Sequence, residues 1–115
     1  MTIKLLNRSA LVVRPKQPLA DWAAEQAPEE NLDLESLRQE GTVYLIDEAE
    51  QESSFADALD EGWRAIFENE LAAWDEFGDH WPVLERSLFD QWFEVEPQIL
   101  AFDLSEQALL RANLE

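Results

Sequence analysis

The stretch Ser53–Trp74, SSFADALDEGWRAIFENELAAW, decides the fold of this chain. Its large apolar residues recur at intervals of three and four, which is the period of one face of an α-helix. They are Phe55, Leu59, Trp63, Ile66, Phe67, Leu71 and Trp74. A helix of this length is roughly 33 Å long, the width of a small domain. We therefore expect it to cover one side of the hydrophobic core.

The opposite side of the predicted helix is acidic. Its charged residues are Asp57, Asp60, Glu61, Glu68 and a single base, Arg64. Because one base cannot neutralise four acids, this side is a candidate docking surface for a basic partner. An ordinary solvated helix face is the simpler interpretation of the same pattern.

Two polar positions of the helix carry separate expectations. Ser54 and Asp57 stand three residues apart near its start, in the pattern of a capping box. Glu70 falls between Trp63 and Ile66 in helical projection, inside the apolar arc. It lies either at the edge of that arc or in the core as a carboxylate with a partner.

The composition limits the classes of function. The chain has 115 residues, a hydrophobic fraction of 46%, and 26 acidic against 8 basic residues, so its net charge is −18. We expect a single domain that covers residues 1–115. The charge disfavours nucleic acid and anionic membranes as partners and favours a basic protein. Cysteine is absent, which excludes disulfides and thiolate metal sites.

The apolar segments are short. None approaches the roughly 20 residues that a bilayer-spanning helix needs. Residues 1–13 lack the apolar core and the cleavage site of a signal peptide. We therefore predict a cytoplasmic protein with no membrane partner, whose oligomeric state the sequence does not determine.

Charge is distributed unevenly along the chain. Residues 1–20 contain Lys4, Arg8, Arg14 and Lys16 and no acid. All the acids follow, with only four further bases. The simplest interpretation is charge matching within the fold, between a basic first strand and its acidic surroundings.

Local patterns predict the remaining elements. Strands are expected at Ser9–Arg14, Thr42–Ile46 and Gln98–Leu104, where β-branched and apolar residues concentrate. Helices are expected at Pro18–Gln26 and Arg86–Phe93, with one helical turn at Leu34–Arg38 that Gly41 would cap. Ser105 could begin a short terminal helix with Leu110 and Leu114 on one side.

The resulting order is β-α-β-α-α-β, which is typical of an α+β fold. We expect a single small domain with a sheet of about three strands, packed by helices. If the first two strands are neighbours, a helical crossover makes them parallel, so the sheet would be mixed.

The only histidine, His80, lies in an acidic loop between Asp75 and Trp81. Carboxylates and an imidazole can bind a divalent metal, but their spacing matches no zinc or calcium motif. A lone histidine without a nucleophile elbow gives little support to a Ser-His-Asp triad. The three glycines are isolated and form no phosphate-binding loop. We therefore expect no metal, no cofactor and no catalytic residues.

The run Arg14-Pro15-Lys16-Gln17-Pro18 follows a predicted strand, at the end where open α/β sheets often bind ligands. With Asp79 and His80, the bases Arg14 and Lys16 form an alternative ligand site. The simpler interpretation is a rigid turn whose bases pair with nearby acids.

The beginning of the chain also carries a resemblance. Residues 7–10 read NRSA, residues 12–18 read VVRPKQP, and Trp22 follows. This string is similar to the start of a group of small bacterial proteins of unknown function. Residues 42–45 (TVYL) and 90–93 (DQWF) fit the same group. The resemblance implies no activity for this chain.

These patterns favour a non-enzymatic, acidic interaction or regulatory protein over an enzyme. Its binding residues would be Asp57, Asp60, Glu61 and Glu68, and its partner a basic protein. Two versions of that function are an inhibitor of the immunity type and a mimic of nucleic-acid charge. The alternative is a small enzyme or ligand-binding domain that uses Arg14, Lys16, Asp79 and His80.

Overall fold

A computed structural model describes residues 2–114 of the chain. This part forms a single small α+β domain, as the sequence predicts. Its elements are β1 (Lys4–Leu5), β2 (Arg8–Pro15), α1 (Gln17–Gln26), α2 (Leu34–Gln39), β3 (Thr42–Asp47), α3 (Ser53–Ala72), α4 (Arg86–Trp92), β4 (Phe93–Gln98) and β5 (Phe102–Asp103).

The three longer strands form a sheet in the order β3-β2-β4, in which both pairs are antiparallel. The expectation of a mixed sheet with a parallel first pair is therefore wrong. A single helix between β2 and β3 would return the chain to the start of β2. Here α1 leads the chain away and the following segment with α2 brings it back, so Thr42 pairs with Val13 near the end of β2.

The last strand begins earlier than predicted. Phe93 and Trp92 fit a helical spacing with Phe89 and Leu88, and Pro97 looks like a terminator. In the structure α4 ends at Trp92, and Pro97 lies inside β4, opposite Leu11. Proline is tolerated there because β4 is an edge strand, whose outward N–H positions need no partner.

A two-stranded antiparallel ribbon, formed by β1 and β5, follows the β2–β4 pair beyond the end of β3. Residues 4–5 pair with residues 102–103, and the amide of Leu6 donates to the carbonyl of Ala101 (2.9 Å). Between this pairing and that of Ala10 with Gln98, the N-terminal strand has one residue more than its partner, as in a β-bulge. The predicted strand Gln98–Leu104 thus contains only the last residue of β4 and, after residues 99–101, the two residues of β5.

Ser9 stabilises this offset. Its side chain is buried (1% exposed), and its hydroxyl donates to the carbonyl of Ile99 (2.9 Å). The same hydroxyl accepts a hydrogen bond from the amide of Ala49, just after β3 (2.8 Å). One side chain therefore joins three segments of backbone at the point where the ribbon begins.

The hydrophobic core lies between one face of the sheet and helices α1, α3 and α4. Phe67 is fully buried at its centre, with its ring centroid 5.5 Å from that of Phe93 and 5.7 Å from those of Phe89 and Trp92. The predicted long helix is confirmed, but its burial is uneven. Its buried residues are Ile66, Phe67 and Leu71, all in the C-terminal half.

Three local predictions are wrong. No side chain caps α3, and the hydroxyl of Ser54 only accepts a weak bond from the Gln51 amide (3.4 Å). Gly41 does not adopt the left-handed cap conformation, because the only positive φ within residues 2–114 is at Gly78. Residues 104–114 contain no helix, and the side chains that it would bury, Leu110 and Leu114, are 92% and 87% exposed.

The missing terminal helix has a physical reason. No part of the fold covers its predicted apolar side, and isolated short helices are marginal in water. Local hydrogen bonds compete with it as well. The amide of Ser105 donates to Asp103 (2.8 Å), and the amide of Gln107 donates to the Ser105 hydroxyl (3.0 Å).

No helix within residues 2–114 combines enough length with enough apolar character to cross a bilayer.

Candidate functional site

The structure divides the four predicted binding acids of α3 into two pairs. Asp60 accepts a hydrogen bond from Arg86 of α4 (2.7 Å), and Glu68 forms an ion pair with Arg64 one helical turn away (3.2 Å). Asp57 and Glu61 form no ion pair with any residue of the 2–114 segment. The two pairs therefore differ in their capacity to attract a partner.

Arg86 binds two carboxylates at once. Its Nη1 donates to Asp60, and its Nε donates to Asp90 on the next turn of α4 (3.0 Å). These hydrogen bonds, first that to Asp60 and then that to Asp90, raise the pKa of the Arg86 guanidinium above its ordinary value. The arrangement joins α3 to α4 and removes Asp60 from the surface charge that is free to bind a partner.

The unpaired acids of α3 line an open groove of about 540 Å³ between the end of β3 and the first half of α3. We name it the acidic groove. Its carboxylates are Asp47, Glu48, Glu50, Asp57 and Glu61. None of the five makes an ion pair within the described chain.

Local sequence explains the groove. Alternation along β3 directs Ile46 towards the core and Asp47 outwards. On α3, Asp57 and Glu61 are four residues apart and therefore neighbours on one face. Two small residues at the same spacing, Ala58 and Gly62, leave room between them. A methyl group built on Gly62 would meet no atom within 4 Å.

Arg8, the base that β2 places opposite the groove, does not neutralise it. Arg8 lies opposite Asp47 in the β2–β3 pairing. Its Nη1 donates to the carbonyl of Asn7 (2.8 Å) and is not within 4.0 Å of the Asp47 carboxylate. Asp47 therefore has a positive neighbour without a direct ion pair.

The groove has the chemistry of a cation-attracting surface and not of a metal centre. Within residues 2–114, no group of three or more His, Asp or Glu side chains is arranged to hold a metal ion. Ile46 and Ala58 add apolar surface between the carboxylates. Such a lining suits Lys and Arg side chains, whose apolar stems pack on carbon while their charged ends meet carboxylates.

The residues of the alternative site are engaged in separate contacts. Arg14 donates to Glu96 across the outer face of the sheet (2.5 Å), and Lys16 donates to the carbonyl of Asp90 on α4 (2.9 Å). His80 belongs to the loop on the helix side, where its carbonyl accepts a hydrogen bond from Trp22 (3.1 Å). Because Val13 points into the core and Arg14 away from it, Arg14 and His80 lie on opposite sides of the sheet.

The loop around His80 is organised by Asp75. The Asp75 carboxylate accepts the backbone amide of His80 (2.6 Å), and the Asp75 carbonyl accepts the indole of Trp81 (2.8 Å). The His80 ring is 72% exposed and its Nδ1 lies 3.7 Å from Asp75. Asp79 is exposed. These contacts give the loop a structural role, which the sequence alone did not indicate.

A second cavity, of about 770 Å³, lies beside the outer face of the sheet. Arg14 and Arg38 line it, and each pairs with a carboxylate of β4. The Arg38–Glu94 pair has a length of 2.6 Å. The hydrogen bond from Arg38, followed by its charge, lowers the pKa of Glu94, and Arg14 and Lys16 add to this effect. The cavity is therefore charge-balanced, unlike the acidic groove.

Charge matching by the basic N-terminal segment is confirmed for two residues. Arg14 pairs with Glu96, and Lys4 lies 3.7 Å from Glu106. Both partners come from the last quarter of the chain. These contacts use positive charge far from the acidic groove.

Glu70 is a partnered carboxylate at the edge of the core. It accepts a hydrogen bond from the hydroxyl of Tyr44 on β3 (2.5 Å), and the same hydroxyl accepts one from Asn69 (2.9 Å). Burial raises the pKa of the Tyr44 hydroxyl; the Asn69 bond opposes this shift and the Glu70 carboxylate adds to it. Glu70 thus joins α3 to β3 and takes no part in the groove.

Comparison of the chain with models of protein families, with curated proteins and with solved structures produced no match. The function is therefore inferred from the geometry of the groove.

Proposed function

We propose that the protein is a non-enzymatic binding protein, whose acidic groove docks a Lys/Arg-rich segment of a partner protein. One observation carries this proposal: five carboxylates, from the end of β3, the connector that follows it and α3, share a groove in which no base of residues 2–114 is paired with them. The cytoplasm is the proposed setting of this interaction.

The distribution of the bases supports this choice of surface. Arg14, Arg38, Arg64 and Arg86 are each paired with an acid outside the groove. The like charges left in the groove repel one another, and a cationic segment would relieve that repulsion. Because no base of the described chain pairs with the groove acids, they are available to a cationic segment of another protein.

The size of the groove fits a few side chains and not a large ligand. Its volume of about 540 Å³ lies in the range of binding sites for small molecules, roughly 300–1,000 Å³. Exposed ion pairs are worth only about 0–1 kcal/mol each. Affinity would therefore come from several contacts together, and charge would act mainly on the association rate.

A basic peptide tests the proposal directly. The probe is a fluorescent peptide in which basic residues, Lys and Arg, alternate with Gly. Its binding is followed by fluorescence anisotropy at several salt concentrations. The groove variant combines Glu48→Gln, Glu50→Gln, Asp57→Asn and Glu61→Gln. Its matched control combines Glu29→Gln, Glu30→Gln, Asp33→Asn and Glu35→Gln, which removes the same charge near α2.

We expect the groove variant to bind the peptide at least about tenfold more weakly than the control, with affinity that falls as salt rises. A second variant, Asp60→Asn with Glu68→Gln, removes acids that already have partners, so its effect should be smaller. Equal losses in the groove variant and the control would show that only net charge matters. That result would refute a specific groove.

A further inference from the structure

The exposed apolar surface of the molecule is concentrated where the two chain ends meet. Most of the exposed large apolar side chains lie within residues 2–8 and 99–114, which we call the neutral end. On the ribbon, Leu5 pairs directly with Phe102, so their side chains share one face. Ile3 and Leu104 stand just beyond the ends of β1 and β5, two residues from Leu5 and Phe102, and the alternation of an extended chain assigns them to the same face.

These four residues, the apolar ribbon face, are all more than half exposed. Their exposed fractions are 65% for Ile3, 62% for Leu5, 54% for Phe102 and 51% for Leu104. Leu109 and Leu110, in the following segment, are 64% and 92% exposed. A two-stranded ribbon is marginally stable on its own, and contiguous apolar patches of this kind are typical of interaction sites.

The charge of the neutral end differs from that of the rest of the chain. Residues 2–8 and 99–114 contain three bases (Lys4, Arg8 and Arg111) and two acids (Asp103 and Glu106), and counting the terminal residues Met1 and Glu115 with them brings the net charge to zero. The whole net charge of −18 therefore belongs to residues 9–98, which we call the body. The neutral end offers no net negative charge to attract a basic partner. An apolar surface without net charge can approach it without electrostatic repulsion.

The ribbon also extends the molecule. It continues the β2–β4 pair beyond Arg8, the first residue of β2, which pairs with Asp47 at the end of β3. The described chain measures 44 × 31 × 30 Å, with a radius of gyration of 15.6 Å, whereas a compact domain of this length has about 13 Å. A partner on the apolar ribbon face can therefore stay clear of the acidic body.

We propose that the neutral end is a dimer interface, and that its occupant is the neutral end of a second copy of this chain. An isologous dimer pairs the same patch with itself, so two apolar faces meet and the contact brings no net charge together. End-to-end contact keeps the two acidic bodies apart, and the Debye length of about 8 Å in physiological salt screens the remainder.

The number of residues at the neutral end matches that of such a dimer interface. A standard interface buries about 800 Å² on each side and uses roughly 20–30 residues of each partner. Residues 2–8 and 99–114 together provide that number. The concentration of exposed apolar side chains at the neutral end also suits dimer interfaces, which are more apolar than the remaining protein surface.

Sedimentation velocity over a range of protein concentrations tests the proposal. Wild-type protein should approach twice the 13.3 kDa mass of the chain as concentration rises. Added sodium chloride should strengthen the dimer, because it screens repulsion between the two bodies. This is opposite to the effect of salt on peptide binding at the acidic groove, so the two proposals can fail separately.

A matched pair of variants locates the interface. Leu5→Asn with Phe102→Asn changes the apolar ribbon face, and the dimer should be at least about tenfold weaker, since each buried large side chain contributes severalfold. Val43→Asn with Leu45→Asn makes the same change on the outer face of the sheet, where both side chains are also more than half exposed. This control should dimerise as the wild type does.

Two outcomes would overturn the proposal. A wild-type protein that stays monomeric at every concentration and salt level has no such interface, and its apolar ribbon face would then serve another occupant. A ribbon variant that dimerises like the wild type, with an unchanged circular dichroism spectrum, would place the interface elsewhere.

Discussion

The body and the neutral end differ in the net charge and in the exposed apolar side chains of their surfaces. The body carries all the net charge and buries the aromatic side chains at the centre of its core, with Phe67, Phe89 and Phe93 at 0–2% exposure. The neutral end carries no net charge and leaves Phe102 and Leu104 more than half exposed. Charge thus keeps the body separate from like molecules, and its absence at the neutral end permits association.

The largest expected effect separates the two regions by stability. Phe67→Ala should lower the free energy of unfolding by about 3–5 kcal/mol, because it empties the centre of the aromatic core. Phe102→Ala should change it by no more than about 0.5 kcal/mol in dilute protein, since its side chain is 54% exposed. Urea denaturation of both variants makes the comparison. Similar losses in the two would mean that the neutral end is part of the folding core.

A smaller effect is expected where α3 joins β3 inside the body. Tyr44→Phe removes the donor to Glu70 and should cost about 1 kcal/mol at neutral pH. The pKa of Tyr44 is raised above its ordinary value of 10.0, so the folded state holds this proton more tightly than the unfolded state. The contribution is complete below pH 10 and falls as pH rises further.

Denaturant midpoints between neutral and alkaline pH measure this dependence. The wild type should lose stability above about pH 10, whereas Tyr44→Phe should lose less over the same interval. Parallel curves for the two proteins would show that the Tyr44–Glu70 bond does not contribute to folding.

Replacing two glycines of the body with alanine should change stability in opposite directions. Gly62→Ala, in the acidic groove, should raise stability by about 0.5–1 kcal/mol, because alanine favours the helix and its methyl group meets open space. Gly41→Ala should lower stability, since the new carbon would lie 3.0 Å from Arg14 Cγ and 3.2 Å from the Val13 carbonyl. Thermal unfolding compares them, and a destabilised Gly62→Ala would mean that the groove is less open than described.

The smallest effect concerns the charge-balanced side of the body. Arg38 lowers the pKa of Glu94, so the folded state holds this proton less tightly than the unfolded state. Its stabilising contribution is present above the ordinary pKa of 4.5 and is lost as pH falls below it. Glu94→Gln should therefore weaken the loss of stability on acidification. An unchanged acid limb of the stability curve would show that this exposed pair contributes nothing measurable.

The elements that were predicted correctly are those with a strong local signal. The apolar residues of α3 repeat over five turns, and the strand predicted at Thr42–Ile46 was recognised from its concentration of β-branched and aromatic residues. β4 was missed because Phe93 also fits the helical spacing of α4 and Pro97 is tolerated only because the strand is at an edge. Strand direction and the offset of the ribbon depend on tertiary pairing, which no local pattern encodes.

Two of the five acids of the acidic groove were predicted from the sequence. Asp57 and Glu61 were identified by helical spacing, but Asp47, Glu48 and Glu50 reach them only through the packing of β3 against α3. Their position directly before the helix, together with two small residues on its surface, was the available signal. The neutralisation of Asp60 by Arg86 joins residues that are 26 positions apart, so it could not be predicted.

The most direct test of the central claim maps where a cationic segment binds. Two-dimensional ¹H–¹⁵N NMR spectra, recorded as the Lys/Arg peptide is added, report on each backbone amide. We predict shifts concentrated in residues 46–50 and 57–62, with little change at residues 29–35 or in the neutral end. Equal shifts at the acids of 29–35 and at the groove would contradict the account, because binding would then follow overall charge and not a site.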